Sequence, residues 1–194
     1  MSDLFVEGFG DYFDAFCAVR EFCRQAQILS TNVLKDSLTD LGHAIGANLQ
    51  PDLIQPYHLP NLSDAPRWDC SFLWLGVSCK MPDIGIFYFG LLWQTFPEGT
   101  TAPSAAGTFS LPRPRFDAVW QALKTRDDRD LLKKESEPNE MTIWERIQPD
   151  ELTNKEDLKG IVEEKLKKIA EEWTRLWESA GGIDRIMQTP QPLP

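Results

Sequence analysis

The amino-acid sequence predicts an α+β fold: a small, mainly antiparallel sheet centred on an apolar β-hairpin, flanked by an N-terminal helix pair and a long C-terminal helix. Three observations predict it. Two strand-length runs, Asp69–Lys80 and Ile84–Thr95, are rich in Phe, Trp, Ile, Leu and Tyr, and Met81-Pro82-Asp83 breaks them apart. Apolar residues recur every three or four positions through the first fifty residues. The same period returns over Leu158, Ile161, Val162, Leu166, Ile169, Trp173, Leu176, Trp177 and Ala180. At 194 residues and 42% apolar content, the chain suits one well-buried core. The expected layout is one domain over 1–187 and an extended, proline-rich tail over 188–194.

The N-terminal pair begins with Asp11–Leu29, where Phe13, Phe16, Cys17, Val19, Cys23 and Ala26 fall at helical spacing. Ser30-Thr31-Asn32 reads as an interruption, because these residues favour helix caps. A second helix follows to Leu49, with Leu34, Leu38, Leu41, Ile45 and Leu49 on one side. Each helix has a single apolar face and so must pack on something else. Pro51, Pro56, Pro60 and Pro66 make Gln50–Pro66 an extended connection.

Neither hairpin strand alternates apolar with polar residues. One face of the first carries Cys70, Phe72, Trp74, Gly76 and Ser78, the other Ser71, Leu73, Leu75, Val77 and Cys79. The second strand sets Ile84, Ile86, Tyr88, Gly90 and Leu92 against Gly85, Phe87, Phe89, Leu91 and Trp93. A sheet with one wet face alternates, so both faces should be covered. The helix pair would take one face. The C-terminal helix, helped by a helix at Phe116–Lys124, would take the other. A face left uncovered is where a partner or a second copy should sit.

Pro97–Pro114 reads as a long loop with at most a short edge strand at Gly107–Leu111. Asp127–Asn139 reads as a surface helical turn or two, and Met141–Ile147 as a further strand. Thr153 and Glu156 have the spacing of a capping box for the last helix, and Gly181-Gly182 ends it. Glu163–Lys167 and Glu164–Lys168 are charge pairs on its wet side.

Charge narrows the function classes. The net charge is −10, from 20 Lys+Arg against 30 Asp+Glu, which repels polyphosphate at long range and argues against direct nucleic-acid binding. The middle of the chain, 67–126, holds 6 bases and 4 acids, so an anion site is most plausible there. Arg113-Pro114-Arg115 is its compact basic feature, and Arg113 and Arg115 are the candidate anion ligands. No run reaches membrane-spanning length and the start lacks a secretion signal, so the expected compartment is the cytoplasm. Cys17, Cys23, Cys70 and Cys79 match no zinc spacing and read as reduced core thiols.

No catalytic residue, metal or cofactor is assigned from these residues. His43 and His58 have no nucleophile that sequence can pair with them. Asp83 sits where a metal-dependent nuclease would carry a carboxylate, but Trp93-Gln94-Thr95 replaces the Glu-x-Lys such an enzyme needs. The remaining anomaly is seven tryptophans, a residue enriched in binding hot spots. Trp173 and Trp177, one turn apart near the end of the last helix, are expected to emerge at an edge and meet a partner, together with Trp93 and Tyr88 of the hairpin. The sequence thus points to a non-catalytic protein-binding, accessory, inhibitory or immunity-type subunit acting on a protein partner or a second copy. The alternatives are a hydrolase or nuclease relative using Asp69, Asp83 and the two arginines, and an acidic mimic of nucleic acid.

Overall fold

The computed structural model describes residues 3–57, 72–95, 99, 101–134, 139–153 and 157–188, apart from the side chains at 3–12, 16, 19, 72, 73, 94, 95 and 101. The order is α1 (Asp3–Ile45), β1 (Ile54–Pro56), β2 (Phe72–Met81), β3 (Gly85–Thr95), β4 (Thr101–Ser110), α2 (Arg113–Lys124), β5 (Lys133–Lys134), β6 (Glu140–Arg146), α3 (Pro149–Thr153), α4 (Leu158–Ala180) and α5 (Gly182–Gln188). The strands form one six-stranded sheet in the order β1-β2-β3-β4-β6-β5, and every pairing is antiparallel. The α+β class and the central hairpin are therefore as the sequence predicts.

The hairpin turns because Pro82 presets one turn position and Asp83 takes the next at φ 61°. The Ile84 N–H closes the turn onto the Met81 carbonyl at 3.0 Å. β4 corrects the reading of Pro97–Pro114 as a loop. It is ten residues long, paired with β3 along its whole length and with β6 from Ser104 onward. Its small residues resemble a loop by composition, yet all seven positions from Ala102 through Thr108 are buried. Small side chains are what a central strand needs where large neighbours press on it.

The main pressure comes from α4. Trp173 donates its indole N–H to the Gly107 carbonyl at 2.9 Å. A Cβ added at Gly107 would lie 2.9 Å from that nitrogen and 3.0 Å from both Ile169 Cγ2 and Phe87 Cζ. Phe109 stacks on Phe87 with centroids 4.4 Å apart, and Trp173 meets both rings edge-on. Trp177 adds a contact to Phe109 at 5.4 Å.

Two corrections follow from this arrangement. α4 and α1 pack against each other on the same face of the sheet, so α4 does not cover the opposite one. The rings of Phe87, Phe89 and Phe109 and the opening at Gly107 all lie on that face. The opposite face carries Trp74, Ser78, Tyr88, Ser104, Ala106, Thr108 and Thr142, with the last two hydroxyls 2.7 Å apart. Among the described residues no helix lies over it, and Tyr57 reaches Tyr88 with ring centroids 5.1 Å apart.

The second correction is that the N-terminal pair is one helix of 43 residues. Ser30 and Thr31 do not cap anything. Their hydroxyls donate to the Ala26 and Gln27 carbonyls one turn back, both at 2.7 Å, and so remain inside the helix. Ser30 is fully buried where α1 comes closest to the sheet. Its Oγ is 3.1 Å from the place a Cβ on Gly90 would occupy, and Gly90 has φ 153°, a conformation that only glycine adopts freely.

The C-terminal part differs in detail from the prediction. Thr153 ends α3, with its hydroxyl on the Asp150 carbonyl, and α4 starts after Asp157; Glu156 lies outside the described residues. Gly181 in the left-handed region ends α4 as expected, but the chain then forms α5. Glu163–Lys167 pairs at 2.7 Å, whereas Lys168 turns to Glu145 of β6 at 2.6 Å. Lys165 joins the same carboxylate and that of Glu151. The segment after α2 is a loop rather than helical turns. The Asp127 carboxylate holds it by accepting the Leu131 and Leu132 N–H groups. Proposed tail residues 189–194, and Cys70, His58, Trp68 and Asp69, lie outside the described residues.

Gly107→Ala is expected to destabilise the fold by about 1–3 kcal/mol, since Trp173, Ile169 and Phe87 must all give way; a lowered urea midpoint would show it. Burial pushes the Glu145 carboxyl up, but hydrogen bonds and charge from Lys168 and Lys165 outweigh that and hold it below its usual 4.5. A depressed folded value contributes stability above pH 4.5 and loses it as pH falls through the folded value. Urea midpoints of wild type and Glu145→Gln should therefore differ at neutral pH and converge below 4.5.

Candidate interaction surface

The residues expected to bind a partner do not form one patch. Trp173 and Trp177 are fully buried, which corrects the expectation that they emerge at an edge. The long helix points its aromatic pair at the sheet because Phe87, Phe109 and Gly107 are there to receive it. Trp93 is half-buried on the helix-bearing face and meets Phe22 of α1 edge-on at 5.8 Å. Tyr88 is half-buried on the opposite face beside Tyr57 and Trp74, and burial raises its hydroxyl above the usual value.

Arg113 and Arg115 also separate. They occupy the first turn of α2, where Pro114 suits the helix start. The Arg115 guanidinium donates to the Asp83 carbonyl and so ties α2 to the hairpin turn. Arg113 pairs with Asp117 at 3.7 Å across an exposed helix surface. Asp83 is then a turn residue whose backbone is used by Arg115. His43 is exposed near the end of α1. Among the described residues, no three His, Cys, Asp or Glu side chains gather as metal ligands, and no helix is long and apolar enough to cross a membrane.

Exposed apolar surface concentrates elsewhere. Of the large hydrophobic side chains that stand exposed among the described residues, Phe13 (55%), Phe22 (39%) and Ile28 (41%) belong to α1. The helix is buried from Ala26 onward at Leu29, Ser30, Val33, Leu34, Leu38 and Leu41. Toward its N-terminus the described side chains Phe13, Asp14, Ala15, Cys17, Ala18, Arg20, Glu21 and Phe22 are all exposed, while Cys23 is half-buried against the core.

A cleft of about 470 Å³ opens between α1 and the start of α4. Phe22, Ala26, Leu29, Val33, Leu91, Leu158 and Val162 make its apolar lining, and Gln25, Asn32, Asp36, Lys159 and Glu163 its polar rim. Arg24, then Gln25, hydrogen-bond Glu21 beside it and pull that carboxyl down to about 2. An apolar floor with a charged rim is the form that receives an amphipathic helix or an apolar side-chain cluster.

Sequence reasoning missed this surface because it ended the first helix at Ser30. A usable signal was present: no proline occurs before Pro51, and Ser or Thr inside an unbroken apolar period can bond its own helix instead of capping it. In comparisons with protein-family models, curated proteins and solved structures, the chain matches none.

The cysteines give a chemical check on this geometry. Cys17 is exposed, which corrects its reading as a core thiol, Cys23 is half-buried with its thiol raised by burial, and Cys79 is buried with its thiol pushed up to about 11. In the folded protein an aromatic disulfide reagent should modify Cys17 first and Cys79 only after denaturant is added. Cys17→Ser should abolish the fastest phase of the absorbance trace.

Proposed function

We propose that this chain is a non-catalytic, cytoplasmic protein-binding subunit, of the accessory, inhibitory or immunity type. It engages its partner through the N-terminal half of α1 and the adjoining cleft. The observation that carries this reading is the concentration of exposed apolar side chains on that half of α1, next to a cleft lined by Phe22, Leu29, Leu91 and Val162. Exposed apolar surface beside an apolar cleft marks protein contact sites on globular domains. The net charge of −10 supports a protein rather than a nucleic acid as the partner.

The test is affinity capture of the tagged full chain from its native host. Wild type should retain one polypeptide in near-stoichiometric amount. Phe22→Glu with Ile28→Glu should lose most of it, at least about tenfold, while the far-UV spectrum and urea midpoint stay close to wild type. Equal recovery by both proteins, or nothing retained by wild type, counts against this reading.

A further inference from the structure

The cleft beside α1 is deeper than a surface contact needs. α1 and α4 lie side by side on the sheet, and the cleft opens between them at the start of α4. Its walls are Ala26, Leu29 and Val33 of α1 with Leu158 and Val162 of α4, and beneath them Leu91 of β3 forms the floor. The space therefore passes through the helix layer to the sheet. Along α1 the lining runs from Phe22 to Asp36, on the order of 20 Å of helix. The volume, about 470 Å³, falls within the roughly 300–1,000 Å³ of small-ligand sites. A partner's helix, about 10–12 Å across with its side chains, lies over such a rim. It does not enter the space between two neighbouring helices, whereas an alkyl chain does.

The rim shows what the other end of the occupant carries. Two acids and one base line it, Asp36, Glu163 and Lys159. The acids are already answered. Glu163 accepts a hydrogen bond from Lys167 at 2.7 Å, and that bond, with the Glu163 and Asp36 charges, raises the Lys167 pKa above its usual value. Lys159 is exposed and makes no hydrogen bond or ion pair among the described residues. Glu163, one turn on, feels its charge and no more. The ammonium open to a ligand thus stands at the mouth of an apolar slot. Such a slot suits a molecule with one alkyl chain and one anionic head.

We propose that the cleft between α1 and α4 binds a carboxylate carrying a single alkyl chain. The chain lies over Leu91, between Ala26, Leu29 and Val162, and the carboxylate meets Lys159. This goes beyond the protein-binding reading and does not depend on it.

Calorimetric titration of the full chain tests it with two probes of equal chain length, decanoate and decyltrimethylammonium, both below their micelle concentrations. Wild type should take up one decanoate per chain, saturating below about 1 mM, and bind the cation more weakly. Lys159→Glu should weaken decanoate binding at least about threefold and reverse the preference between the two heads. Two substitutions fill the slot: Leu158→Trp, at a half-buried position, and Ala26→Leu, in the wall. Each should weaken decanoate binding at least about tenfold, and the urea midpoint of Leu158→Trp should stay close to that of wild type. No saturable uptake of decanoate by wild type overturns the proposal. So does binding that the folded slot-filling variants leave unchanged, or a wild type that takes the cation as tightly as the carboxylate.

Discussion

Trp173 sits on Gly107, and most of the architecture follows from that contact. The indole N–H reaches the Gly107 carbonyl at 2.9 Å, and the ring fills the space that a side chain at 107 would need. Phe87 and Phe109 close around it from neighbouring strands. A large aromatic ring buried with its one polar group satisfied gains area without an orphaned donor. The contact fixes which face of the sheet α4 covers and how close it lies. It also explains why β4, a central strand, carries glycine at 107.

With α4 in place, α1 has only the remaining width of the same face. Ser30 lets it come close at Gly90, and its apolar residues from Ala26 onward fill the layer beside α4. Lys165 and Lys168 tie α4 to Glu145 of β6, and Glu172 takes Arg129 and Arg175, so the polar edges of α4 are also held. Toward the start of α1 the described side chains from Phe13 to Phe22 are exposed, and the apolar ones among them stand beside the cleft.

Much of the fold was legible in the sequence. The hairpin strands, the helix after Arg113 and the long last helix carry strong local periods or turn residues, and the strand at Glu140–Arg146 a weak alternation. β4 was not legible, because Ala102–Thr108 has loop-like composition and its burial depends on Trp173, which is far away in the chain. The continuity of α1 was obscured by Ser30 and Thr31, whose side chains can serve a cap or the helix interior equally well. Of the candidate site residues, Trp173 and Trp177 were misplaced because a stripe shows which side of a helix is apolar but not how much of it is covered. Arg115 was read as an anion ligand, since nothing local reveals that the Asp83 carbonyl lies within its reach.

By itself the sequence determined the α+β class, the apolar hairpin and its turn, the amphipathic last helix and the acidic net charge, all of which depend on neighbouring residues or on simple sums. Only the tertiary structure decided that α1 and α4 share one face of the sheet, that the small-residue strand is central, and that α1 is one continuous helix. Those outcomes depend on contacts between distant segments. The hairpin's second face, expected beneath a helix, has none over it among the described residues. Periodicity shows that a face is apolar, and only packing shows what comes to lie against it.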